Sequence, residues 1–187
     1  MQPALLKITG NAGLPLTEIR RFLQSIETLY HGIRTIESMA ATQRGLLRQI
    51  NGPTRIDDSV FDAAADDSLV LNAAELHSPG YWELLGQFNP LTFLRDLLRD
   101  IHERQKDRSF RNQAEADALV LKNLLLKNRV LKEQIALLEK AGVDSEDIRA
   151  LLLRQLLPPA RELIRATEHK VCETALLAVA QQDEADD

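Results

Sequence analysis

Histidine and cysteine are the side chains that would first suggest metal or nucleophilic chemistry, and this sequence has four histidines and one cysteine. His102 and Glu103 begin like the helical zinc motif His-Glu-x-x-His, but Lys106 occupies the position of the second histidine ligand. The other histidines lack ligand spacing, and His77-Ser78 lacks the glycines that flank a hydrolase nucleophile. We therefore predict no catalytic residue and no metal ligand, and thus no enzyme.

Two other segments have residue types that bind ions in some proteins. The segment 10–13 (GNAG) lies between a predicted strand and a predicted helix, where backbone amides can receive a phosphate, but it lacks both the Gly-Lys-Ser/Thr ending and the dinucleotide glycine spacing. Five aspartates within residues 57–67 lack the central glycine and final glutamate of a calcium loop. We predict no cofactor, and phosphate binding at residues 10–13 stays open.

The overall charge argues against nucleic acid as the main partner. The chain of 187 residues has 23 Lys and Arg against 28 Asp and Glu, a net charge of -5. Residues 95–111 hold six cations but also four anions, which is too small an excess to neutralise several phosphates. Alternating charge of this kind is typical of a solvated helix with ion pairs.

Composition and hydropathy also indicate the compartment. A lone cysteine, Cys172, suits a reducing environment, and residues 1–13 do not resemble a secretion signal. No apolar run approaches the roughly 18 residues that cross a bilayer. We expect a cytoplasmic protein without a membrane span.

The elements that position these residues fall into two parts. Residues 1–86 predict a small α+β head with two strands, at 4–9 and 68–76, and one long amphipathic helix from Thr17 to about Gln43. Residues 87–180 predict a helical tail, with one or two helical turns already at 81–88 and a helix start at Asn89-Pro90. Gly142 predicts a helix end, Asp144 or Ser145 the next start, and Pro158-Pro159 a break before a final helix. Residues 181–187 predict a disordered acidic tail. From the head and the helical tail together we predict a fold that is mainly α with a small α+β head.

Residues 114–141 contain a pattern that resembles the leucine zipper of basic-region transcription factors. The predicted a positions are Leu121, Asn128 and Ile135, and the predicted d positions are Leu124, Leu131 and Leu138. A single asparagine at a selects a parallel pair, although Lys127 and Lys132 would repel across such a pair. A second apolar row on this helix fits an alternative, a helix central to a bundle within one chain. We expect a coiled coil or a helical bundle and at least a dimer.

Trp82 is the only tryptophan, and it directly follows the turn Ser78-Pro79-Gly80. A large ring at this place can fill the joint between head and tail, or it can serve as a half-exposed anchor for a partner. We predict the joint and keep the anchor as the alternative.

Residues 77–86 (HSPGYWELLG) and 88–91 (FNPL) look like a segment of bacterial α+β proteins in which a strand, a long helix and a second strand precede a Ser-Pro-Gly turn. Such units are similar to bacterial relatives of the N-terminal domain of the death-receptor adaptor TRADD. The resemblance covers about residues 5–98 and implies adaptor work in signalling or defence. In such proteins either a membrane span or a soluble helical tail follows the turn. No membrane span follows it here, which argues against membrane attachment.

These observations favour a non-enzymatic module for protein-protein interaction and oligomerisation. We expect its partner to be a second copy of the chain, another protein, or both. One alternative is a dimeric transcriptional or nucleoid regulator that pairs through the zipper-like helix. The other is an enzyme with an unrecognised site.

Overall fold

The central strand of the protein forms from alternating apolar residues near the start of the chain. The computed structural model describes residues 2–11, 14–47, 68–75, 79–107, 123, 125–168 and 174–179. In strand β1 (Pro3–Gly10), Ala4, Leu6 and Ile8 are fully buried, and the residues between them are half-buried. This alternation places one face of the strand in the core.

Three further strands complete an antiparallel sheet in the order β2-β3-β1-β4. They are β2 (Val70–Glu75), β3 (Gly80–Gln87) and β4 (Thr174–Val179). Strand β1 pairs with β3 on one side and with β4 on the other, and Leu6 lies opposite both Leu84 and Leu177. The sheet therefore joins the first and last described strands of the chain.

Helices pack on the buried face of this sheet, so the chain has an α+β fold. The described helices are α1 (Leu16–Leu47), α2 (Phe88–Asp107), α3 (Arg129–Lys140) and α4 (Ser145–Glu168). Their buried apolar residues belong to one hydrophobic cluster with those of β1 and β3. None of the helices in the described part of the chain is long and apolar enough to cross a bilayer.

Helices α1 and α4 pack against each other. A Cβ atom added to Gly32 of α1 would lie only 2.7 Å from Cδ2 of Leu156, so the glycine permits a close approach. Ala160 and Leu163 of α4 are fully buried in the same cluster. This close packing fixes the groove between the two helices.

The start of α2 is held by polar side chains. Glu37 of α1 forms an ion pair with Arg34 at 3.2 Å and accepts a hydrogen bond of 2.9 Å from Nδ2 of Asn89. The N-cap predicted at Asn89 was wrong. Helix α2 begins one residue earlier, at Phe88, and the Asn89 side chain donates its hydrogen bond to Glu37 of α1 instead.

The end of α3 and the start of α4 follow the sequence prediction. Gly142 has φ +80°, and the amide of Val143 donates to the carbonyl of Leu138 at 3.1 Å, as in a Schellman motif. The Asp144 carboxylate accepts a 2.7 Å hydrogen bond from the amide of Glu146. The predicted helix end at Gly142 and start at Asp144 are confirmed.

Three predictions of secondary structure were wrong. Residues 80–87 form β3 rather than helical turns, because Trp82 and Leu84 face the core at strand spacing. Residues 174–179 form β4 rather than a helix, because β1 offers them a free edge. Helix α4 continues through Pro158 and Pro159, because burial of Leu156, Ala160 and Leu163 offsets the missing backbone hydrogen bonds.

The prediction of a mainly α protein with a small α+β head therefore needs correction. The sheet has four strands rather than two, and β4 comes from the part that was expected to be wholly helical. Strand β4 pairs with the edge of β1 that β3 does not occupy, so the backbone groups of that edge have hydrogen-bond partners within the sheet. The division at residue 86 stays a prediction, and the predicted acidic tail at 181–187 lies outside the described residues.

Candidate interaction surface

The predicted interaction residues that the structure describes do not form one exposed seam. Trp82, Leu131 and Leu138 are buried within the chain, and Ile135 is half-buried against the same cluster. Leu121 and Leu124 lie outside the described residues, so their part in an interface stays a prediction. The described zipper positions are used largely for packing inside this chain.

Asn128 has a local role that differs from the predicted one. It has φ -58° and ψ 134°, which is not helical, and its Oδ1 accepts a 3.0 Å hydrogen bond from the amide of Val130. Asn128 is thus the N-cap of α3, and a continuous helical heptad pattern through it was wrong. The physical reason is that the asparagine side chain satisfies an amide that a helix start leaves unpaired.

The candidate metal and cofactor residues can be compared with the part of the chain that the structure describes. Within that part of the chain, no group of three or more His, Cys, Asp or Glu side chains is placed to hold a metal ion. Gly10 is the last residue of β1, whereas Gly13, Cys172 and the aspartates of 57–67 lie outside the described residues.

The sheet has a second face, turned away from the buried cluster, which we call the open sheet face. Cross-strand partners share a face, so the register defines three rows running from β2 through β3 and β1 to β4. None of the side chains in these rows is buried. The rows are Val70, Leu85, Leu5 and Ala178; then Ala73, Glu83, Lys7 and Leu176; then Glu75, Tyr81, Thr9 and Thr174.

The first row is apolar on all four strands. Val70 on β2 is 48% exposed, Ala178 on β4 is exposed, and Leu85 and Leu5 between them are half-buried. Leu176 extends the apolar surface into the second row and is 66% exposed. Contiguous apolar surface on a sheet face is typical of a protein-protein contact.

Polar groups lie in the second and third rows, and Lys7 and Glu83 occupy the middle of the face. Nζ of Lys7 lies 3.2 Å from Oε1 of Glu83 and 3.9 Å from the centroid of the Tyr81 ring. The Thr9 and Thr174 hydroxyls form a hydrogen bond between β1 and β4. The lysine ammonium therefore contacts both a carboxylate and an aromatic ring of β3.

Sequence reasoning missed this surface because it assigned two of its four strands to helices. A signal was nevertheless present in β3, where Trp82 and Leu84 alternate with Tyr81 and Glu83. The segment TALLAV of β4 gave no comparable signal, because an apolar run without alternation fits a helix as well as a strand.

No known protein family, curated protein or solved structure matches this chain. The similarity to the TRADD-like units stays a prediction.

Proposed function

We propose that this chain is a non-enzymatic interaction module that associates with a second copy of itself through the open sheet face. The observation that supports the proposal is the apolar row across all four strands together with the exposed Leu176. Covering these side chains removes apolar surface from water, which is the main driving force of association.

The charges on the face favour a second copy as the partner. Lys7 and Glu83 lie side by side near its centre, and their opposite charges balance locally. In a twofold arrangement each lysine can approach the glutamate of the other copy, so identical faces meet without strong repulsion. Glu75 in the third row adds one further carboxylate, so one cation and two carboxylates give the face a net charge of only -1, which offers a strongly charged partner little to complement.

The size of the face sets the strength that we expect. Four strands about 4.8 Å apart and six residues long cover roughly 20 Å by 20 Å. This is about half of the roughly 800 Å² that each partner buries in a standard stable interface. We therefore expect weak association, with a dissociation constant of about 1–10 μM.

In this proposal the chain self-associates through the sheet rather than through the zipper-like segment. Leu131 and Leu138, two of its predicted d positions, are already buried in the chain and offer little surface to a second copy. An adaptor role in signalling or defence, and a cytoplasmic location, belong to this proposal and have only sequence support.

Sedimentation velocity over a concentration series tests the proposal. The variant Leu176→Glu puts a charge on the open sheet face at an exposed position, so the fold should persist while the dimer dissociates. Val70→Glu repeats the test on the other edge strand. The matched control is Leu16→Glu, which changes a leucine that is 75% exposed at the start of α1 and is not part of the face.

The expected result is a concentration-dependent dimer for the parent and Leu16→Glu and a monomer for both face variants. Circular dichroism should show the same secondary structure for all four proteins. A monomeric parent at about 100 μM, well above the expected dissociation constant, contradicts the proposal. So does a Leu16→Glu variant that dissociates as fully as Leu176→Glu.

A further inference from the structure

A groove on the helical layer concentrates positive charge in a chain whose net charge is -5. It lies between α1 and α4 and has a volume of about 550 Å³. Arg21 lines it from α1, and Arg161 and Arg165 line it from α4. Glu162 is the one carboxylate among its lining residues.

The ion pairs at this groove leave its positive charge largely available. Arg165 pairs with Glu162 at 2.7 Å, and Arg21 pairs with Glu18 at 3.2 Å, but the side chains of both arginines are more than two-thirds exposed. Exposed pairs of this kind contribute little and exchange readily for another carboxylate. Arg161 has no acidic partner among the described residues.

The hydroxyl groups that line the groove are not available to donate hydrogen bonds to a bound anion. Ser25 donates its hydroxyl hydrogen to the carbonyl oxygen of Arg21 at 2.8 Å, and Thr28 donates to that of Gln24 at 2.8 Å. The remaining donors toward the groove are the guanidinium groups and the Gln24 amide. This donor set selects oxygen acceptors with negative charge, and guanidinium matches carboxylate geometry well.

The shape of the groove selects an elongated ligand. From Arg21 to Thr28, α1 rises about 10 Å, and Arg161 and Arg165 are spaced by about 6 Å on the opposite wall. A wall of about 10 Å is longer than one compact anion, and it admits an extended segment whose carboxylates can reach the arginines of both walls. We propose that the groove between α1 and α4 binds an acidic peptide segment, independently of the association through the open sheet face.

Fluorescence anisotropy with a labelled acidic peptide tests this binding site. The probe is a ten-residue peptide containing five glutamates, and the same peptide with glutamines is the control ligand. Arg21→Gln and Arg161→Gln remove charges from the groove. Their matched controls are Arg20→Gln and Arg154→Gln, which change exposed arginines on the same two helices that do not line it.

We expect saturable binding of the glutamate peptide and about three- to fivefold weaker binding for each groove variant. Binding should weaken as ionic strength rises from about 0.01 M to about 0.15 M, because the Debye length falls from about 30 Å to about 8 Å. The control variants should bind like the parent.

Three results would overturn the proposal. The first is equal weakening by Arg154→Gln and Arg161→Gln, which would indicate general charge attraction. The second is equal binding of the glutamine peptide. The third is displacement of the peptide by inorganic phosphate but not by chloride at the same ionic strength, which would indicate a site for a compact anion.

Discussion

Replacing Trp82 with alanine tests how the sheet is attached to the helical layer. Trp82 is 1% exposed on β3, lies opposite Ile8 of β1 and Ala74 of β2, and has its ring centroid 5.7 Å from that of Phe22 on α1. The indole therefore connects three strands of the sheet with the longest described helix. Alanine would remove this connection and leave a cavity between the two layers.

The expected loss follows from the buried area. A buried tryptophan covers roughly 150–250 Å², which at about 25 cal/mol per Å² corresponds to about 4–6 kcal/mol. Alanine retains part of this burial and the surroundings relax partly, so we expect the free energy of unfolding to fall by about 3–5 kcal/mol. Trp82→Phe preserves an aromatic contact with Phe22 and should cost clearly less.

Urea unfolding followed by far-ultraviolet circular dichroism measures this loss without relying on tryptophan fluorescence. With a slope of about 2 kcal/mol per molar urea, the midpoint should fall by about 1.5–2.5 M. The melting temperature should fall by about 6–20 °C. The slope itself should stay the same, because the folded state remains compact.

Tyr81→Ala provides the matched control. Tyr81 is the neighbouring residue on β3, but it is half-buried on the open sheet face, so its removal should cost less than Trp82→Ala. If the two variants unfold at the same urea concentration, or if Trp82→Ala unfolds like the parent, the assignment of Trp82 to the core is refuted. The sequence-based alternative of an exposed anchor would then be preferred.

Two further substitutions test local features of the fold. Asn128→Val should lower stability by about 1 kcal/mol without changing the mass in light scattering, because it removes the cap on the Val130 amide; greater stability with a changed oligomer number would support the zipper instead. Gly86→Ala should cost about 1–3 kcal/mol in urea unfolding, because its Cβ would lie 2.8 Å from the Tyr30 ring, whose hydroxyl accepts a 2.9 Å hydrogen bond from the Gln87 amide. A Gly86→Ala protein as stable as the parent would show that Tyr30 is free to move.

Local signals in the sequence were enough for several elements. The alternation at 4–9 and the three-and-four spacing from Thr17 onward correctly predict β1 and α1, because one buried face imposes its own period on the residues. Gly142 and Asp144 correctly predict a helix end and a helix start, since caps depend on groups only a few residues apart.

The tertiary structure alone decided β4 and the open sheet face. The segment TALLAV has no period that separates strand from helix, and it pairs with β1, which lies more than 160 residues earlier in the chain. The same holds for α4, where packing against α1 outweighs the two prolines that locally predict a break. Long-range pairing and burial contribute more free energy than the local preferences of these segments, and local sequence patterns do not reveal which distant partner is available.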